Sequence, residues 1–404
     1  MELPAKCCPK LLAPLPTAPG YRLSLRYIHL DVDILKVNLS ALLLLAVLCD
    51  APRICAADEV VRYEASHDAM GTVFTVVAYG ADARQLAEVV NEAFEEIDRV
   101  DVQMSNYKPQ SEISAINRNA AAESVLVEPQ LFRLFEDSLR FADETGGAFD
   151  ITVGPLMRAW GFFRGQGRMP ARSEIGRALG KIGYQHVHLN PAARTVRFDI
   201  AGMEIDLGGI AKGYAVERAV EILRSYGVTR ALVSSGTSTI YALGAPPDDR
   251  AWRITIRDPY DAKKAGDVVF LKNFALSVSG NYEKFFELDG NIYSHILNPR
   301  TGRPVENMLS TAVLAPRATQ ADALSTAMFV LGVKGSRRYL SAHPNLAVVF
   351  YQPADAARAF KRTIARSPSF NLPADSLAEI AGVEGSADAT PEDGQPRAGP
   401  APPR

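Results

Sequence analysis

Asp322 and Thr326 stand four residues apart in ADALSTAMFV (321–330), where the apolar spacing predicts a helix over about 320–332. One face of that helix then carries a carboxylate and a hydroxyl. Hard oxygens of this kind suit magnesium, which takes few protein ligands and completes its octahedron with water and phosphate oxygens. The same two residues also read as an ordinary first-turn acid and a packing threonine. His295, in YSHILNPRTGRP (293–304), falls between a short strand and a Pro/Gly turn. Histidine is the side chain best suited to take a proton near neutral pH, while a half-buried ring bonding its own turn is the plainer reading.

Two further stretches could hold a ligand. In TGGAFDITVGPLMRAWGF (145–162) the glycines permit close backbone approach and Phe149 and Trp160 offer ring faces. Asp150 there could cap a helix or accept a hydrogen bond from a ligand. IDLGGIAKGYA (205–215) resembles a nucleotide loop, yet it has neither the G-x-G-x-x-G nor the G-x-x-x-x-G-K-[ST] spacing. Gly208 and Gly209 let the backbone come near a ligand, and free N–H groups at the start of the following helix favour an anion. Lys212 adds a point charge, and Asp206 suits hydroxyls or ring nitrogens. A strand-to-helix turn with a solvated lysine is the alternative.

The elements that must position these residues follow from periodicity. Strands are expected through 60–79, 186–199 and 201–206, in the segments around 231–280, at STAVLAP and at LAVVFY. Helices are expected over 84–100, 128–144 and from Gly209 to Gly227. Strands in sets with a few helices between them indicate α+β. The 404 residues, 47% of them hydrophobic, suffice for a large core in one domain or two. A net charge of −2 without a basic stripe argues against nucleic acid as a partner.

At 37–49, VNLSALLLLAVLC is too short for a membrane span of roughly 20 residues and reads as a secretory signal, or else as a buried helix. Cys7, Cys8, Cys49 and Cys55 all lie within residues 1–57, so a cleaved chain would have no thiol chemistry. The expected organisation is an extension and signal at 1–57, one domain at 58–366, and a disordered Pro/Ala/Gly/Ser tail at 367–404.

Six blocks in order, MGTVFTVVAYG, MSNYKPQSEISAIN, GGAFDITVGPLMRAWGF, DLGGIAKGYAVERA, SHILNPRTGRPV and ADALSTAMFVLG, closely resemble the ApbE family, the FAD:protein FMN transferases. The resemblance spans about residues 60–352. It implies an α+β fold related to the T-fold, with mixed, largely antiparallel sheets and flanking helices. It also implies magnesium-dependent transfer of FMN from FAD to a threonine or serine of a target protein, with release of AMP. The implied targets are redox-complex subunits or secreted flavoproteins.

Matched residue by residue, the resemblance places Met70, Tyr107, Ala148, Phe149, Asp150, Asp206 and Lys212 at FAD. It makes Gly209, through its carbonyl, Asp322 and Thr326 the magnesium ligands, and His295 the base. Two departures stand out: Asn298 replaces the acid of H-x-x-D-P, and SSGTSTI (234–240) replaces an N-x-G-G-D block. The family location is the periplasm or the membrane surface facing it. Cys49 sits in a poor lipid-attachment box, with Ala46 where leucine is usual, which favours a soluble periplasmic protein over a lipid-anchored one. FAD hydrolysis, or FAD binding without turnover, are the alternative readings of the same pocket.

Overall fold

Alternating exposure along β1 (Val61–Ala69) and a half-buried β2 (Thr72–Gly80) mark one side of an antiparallel hairpin. Only Met70 and Gly71 connect them, both at positive φ (53° and 71°), as a tight primed turn requires. The computed structural model describes residues 60–165, 167–355 and 358–381. The signal segment and the four cysteines lie outside the described residues.

Helix α1 (Ala83–Met104) starts where the Asp82 carboxylate accepts from the Arg84 and Gln85 amides, and it buries Leu86, Val89, Val90, Ala93, Phe94 and Ile97 along one face. After it come α2 (Glu112–Asn119), β3 (Val125–Leu126), α3 (Pro129–Glu144), α4 (Gly154–Ala159) and α5 (Arg172–Leu179). Strands β4 (Val187–Asn190) and β5 (Thr195–Phe198) join β3 in a small sheet. Helix α6 (Ala211–Ser225) leads into β6 (Arg230–Ser235), β7 (Thr239–Leu243), β8 (Trp252–Arg257), β9 (Ala265–Lys272) and β10 (Phe274–Gly280). The hairpins β11 (Phe285–Leu288) with β12 (Asn291–Ser294) and β13 (Leu297–Asn298) with β14 (Arg303–Pro304) come next. The last elements are β15 (Ser310–Ala315), α7 (Ala318–Ala342), β16 (Ala347–Pro353), β17 (Phe360–Arg366) and β18 (Leu377–Ala381).

Eight strands form the central sheet in the order β1-β2-β6-β7-β10-β15-β16-β17, with every neighbouring pair antiparallel. The α+β expectation holds. Both faces are covered, so β15 is buried at all its positions. Val313 and Ala315 point into the core shared with α1, α6 and α7, whereas Ala312 and Leu314 face the small sheet β18-β9-β8. Asp267 on β9, fully buried, fastens that small sheet to the large one: it accepts from the Tyr351 hydroxyl on β16 and from Arg362 Nε on β17 at 2.8 Å.

Two expectations need correction. Residues 201–206 form no strand; they make one isolated parallel bridge, Val153 with Glu204. Side-chain amides replace a neighbouring strand there: Asn117 bonds both the N–H and the carbonyl of Ile205 (2.7 and 2.9 Å), and Asn106 bonds the same carbonyl at 3.0 Å. The end expected near 332 for the helix after β15 holds: Gly332 (φ 64°, ψ −178°) is non-helical and kinks α7 there, and a second helical stretch continues to Ala342. Residues 367–381 belong to the fold, not to a structureless tail. Ser367 bonds Leu346 N and His343 O, Phe370 packs edge-on against Phe274, and β18 pairs with β9. Five residues of strand are too few to show a period until β9 supplies their partner. The remainder of the expected tail, 382–404, lies outside the described residues.

Helices α6 and α7 meet at Gly213. A Cβ there would fall 2.3 Å from the Ala318 carbonyl oxygen and 2.5 Å from the Asp322 Cβ. Gly213→Ala is therefore expected to destabilise the fold by about 1–3 kcal/mol through overpacking, although alanine favours a helix. Urea unfolding checks this, and an unchanged midpoint would refute the close packing.

Candidate active site

The start of α7 carries the buried carboxylate. Asp322 Oδ2 accepts from the Gly213 N–H at 2.7 Å, and Oδ1 accepts from the Ser277 hydroxyl on β10 at 3.3 Å. Hydroxyls continue around it: Ser277 lies 2.9 Å from Thr239, and Ser279 lies 2.7 Å from Ser325 and 3.4 Å from Thr326. Burial raises the Asp322 pKa, and the nearby Lys212 cation opposes that shift most strongly.

The glycine turn before α6 closes on this cluster. Asp206 Oδ1 accepts from Gly208 N at 2.8 Å, an Asx-type turn, while the Asp206 N–H bonds Ile151 O at 2.7 Å. A Cβ on Gly209 would stand 3.4 Å from Thr326 Oγ1 and 3.4 Å from the Phe149 ring. Gly209, Thr326 and Phe149 are thus immediate neighbours, with Asp322 one helical turn away on the face of α7 that Thr326 shares. Burial pushes the Asp206 carboxyl up as well. Tyr107 stacks on Phe163 with centroids 4.8 Å apart and is 63% exposed, leaving an open aromatic shelf. Its phenol is pushed up, first by burial and then by the Asp206 charge, which sets the shelf beside Asp206. Arg158 covers the Phe163 ring at 4.0 Å.

Ala148 and Phe149 are buried, and Phe149 is held by its N–H to Thr145 Oγ1 and edge-on to Phe141. Asp150 uses both oxygens within the fold, accepting from the Thr152 N–H and hydroxyl and from Tyr184 N. Its side chain therefore fixes the 145–152 segment rather than capping a helix. Met70 packs against the main core from its turn. Beside that turn lies the departing block at 234–240: Gly236 N bonds Val73 O at 2.7 Å.

His295 follows β12. Its ring Nδ1 lies 3.0 Å from Lys284 O, and its backbone N–H bonds the same carbonyl at 2.9 Å. A carbonyl only accepts, so Nδ1 carries the hydrogen and Nε2 keeps its lone pair. Burial lowers the pKa to about 4, helped by the Lys284 and Lys212 cations. Asn298 secures the turn after it: Oδ1 accepts from Arg300 N at 2.9 Å, and Arg300 reaches Gly146 O at 2.7 Å. The amide does the structural work of the missing acid without its charge. Phe163, Glu283, Lys284 and the β10 serines escaped sequence reading, because single aromatic, acidic and hydroxyl residues carry no local pattern.

The ApbE family model matches residues 70–350. The chain belongs to the ApbE family. The FAD:protein FMN transferase of Treponema pallidum is 32% identical over 332 residues, covering 78% of this chain and 91% of that protein. The FAD:protein FMN transferase of Escherichia coli K12 is 32% identical over 312 residues, covering 75% and 88%. Among solved structures, the ApbE protein of Thermotoga maritima superposes with a TM-score of 0.67 at 33% identity, over 76% of this chain and 97% of that one. The flavin transferase ApbE of Vibrio cholerae gives 0.67 at 30% identity, over 77% and 98%. ApbE-family membership thus rests on sequence and fold together, and the site geometry here is this chain's own.

The lowered pKa has a direct readout. NMR titration of the His295 ring should show it neutral as pH falls through 6.5, with protonation setting in near about 4. A midpoint at or above 6.5 would contradict the desolvated setting.

Proposed function

We propose that this chain is an FAD:protein FMN transferase, moving the FMN half of FAD onto a threonine or serine hydroxyl of another protein. The observation that carries the reading is a neutral His295 with Nε2 free, within electrostatic reach of Lys212, which also faces Asp322. An aliphatic hydroxyl is a poor nucleophile until a base removes its proton. His295 Nε2 takes that proton as the hydroxyl oxygen bonds to the FMN phosphorus. The bond from that phosphorus to the bridging oxygen breaks, and AMP departs with the oxygen and its electron pair. Lys212 would meet the diphosphate charge, since the Ala211 and Gly213 N–H groups at the start of α6 are already taken by Leu207 O and Asp322 Oδ2. The Tyr107–Phe163 shelf and Asp206 suit a ring system with hydrogen-bonding edges.

Among the described residues no three His, Cys, Asp or Glu side chains are grouped to hold a metal. The site nevertheless fits magnesium. A buried carboxylate, a hydroxyl and the backbone at Gly209 offer hard oxygens, and burial leaves Asp322 short of positive charge. Asp322, Thr326 and the Gly209 carbonyl would hold the ion, which when bound neutralises phosphate charge and acts as a Lewis acid. Export to the periplasm is supported by the apolar run at 37–49.

The test combines purified protein, FAD, magnesium and a threonine-bearing acceptor protein. A flavin label that survives denaturation, with one AMP released per label, is the expected product. His295→Ala should slow labelling about 10²–10⁴-fold while FAD binding stays within a few-fold. AMP release without label would mean that water is the acceptor, and unchanged AMP release in the variant would remove His295 from the chemistry.

A further inference from the structure

One charged group near this site has no role in the reaction as described. Glu283 lies in the segment 281–284 between β10 and β11, and it is held from both sides. Asn281 N bonds Leu309 O at 2.9 Å, and the Tyr282 ring lies so close over Gly280 that a Cβ there would fall 2.6 Å from it. On the far side, the Lys284 carbonyl takes both hydrogen bonds from His295. The Glu283 carboxylate is thereby presented to Lys212, with Oε2 3.9 Å from Nζ and both side chains about three-quarters buried.

Lys212 therefore stands between two carboxylates. It forms its ion pair with Glu283, whereas Asp322 Oδ2 is occupied by the Gly213 N–H. Asp322, Lys284 and Arg257 also lie within electrostatic reach of Glu283. An ammonium on a four-carbon stem swings readily to whichever anion is less well served. If Glu283 were neutral, the nearest remaining anion for Lys212 would be Asp322, and an ammonium there competes with any cation the carboxylate is meant to bind.

We propose that Glu283 is a positioning residue that holds the Lys212 ammonium off Asp322 and toward the diphosphate, leaving the Asp322 carboxylate open to a divalent cation. The inference rests on the magnesium reading of Asp322 given above. The same four-residue segment fixes His295 through the Lys284 carbonyl, so it aligns the cation-binding and proton-accepting halves of the site together.

The test uses the full chain without FAD and Mn²⁺ as the probe, with binding followed by electron paramagnetic resonance. Glu283→Gln is expected to weaken Mn²⁺ binding about tenfold, and Glu283→Asp to stay within about threefold of the parent. Placed on a Lys212→Met background, Glu283→Gln should cost almost nothing, because the competing ammonium is gone. Thermal unfolding midpoints near the parent's confirm that each variant is folded. Parent-like Mn²⁺ affinity in Glu283→Gln overturns the inference. So does an equal loss with methionine at 212, which would make Glu283 a source of negative field only. If the parent itself binds no Mn²⁺, the magnesium reading of Asp322 fails and takes this inference with it.

Discussion

The approach of α6 to α7 at Gly213 governs the rest of the site. With no side chain at that position, a backbone N–H reaches Asp322 Oδ2 at 2.7 Å, and two helices from distant parts of the chain share one origin. Burying a carboxylate is costly unless hydrogen bonds and charge compensate it. Gly213, Ser277 and Lys212 each supply part of that compensation. It is incomplete, so burial still raises the Asp322 pKa above the usual carboxylate range. Gly209, in the turn before α6, and Lys212, in the first turn of that helix, come just ahead of the contact, so one backbone approach sets the hydroxyl, the glycine turn and the ammonium in register.

Around that contact the architecture is largely a matter of small residues between two covered faces. An antiparallel sheet buried on both sides needs apolar residues at successive positions, which β15 and β16 provide. Where the sheet meets α7, serines and threonines replace them and pass hydrogen bonds along to Asp322. Irregular backbone near the ligand side is satisfied by side chains: Asn106 and Asn117 at Ile205, Asp206 at Gly208, Asn298 at Arg300. The amide at 298 shows how a departure from the family pattern is absorbed, since the turn needs an acceptor at that point and not a charge.

Local regularities were legible in the chain. The three-four spacing of Leu86, Val89, Val90, Ala93 and Ile97 announced α1, and a similar stripe announced α3, because a helix that buries one face must repeat near 3.6 residues. The stretch at 201–206 was misread for a physical reason: the backbone at Ile205 is satisfied by the amide side chains of Asn117 and Asn106, 88 and 99 residues earlier. The strand Leu377–Ala381 was hidden because five residues show no period apart from β9.

The sequence by itself determined the α+β class, the helix faces, and the residue types able to bind an anion, a hard cation and a proton. These follow from composition, spacing and ordered motifs, all of which are local or linear. Tertiary structure alone decided that Lys284 O fixes the His295 tautomer, that burial lowers its pKa to about 4, and that Lys212 pairs with Glu283 while Asp322 takes the Gly213 N–H. Desolvation and Coulomb interactions depend on distances between groups far apart in the chain, and no local pattern encodes those distances.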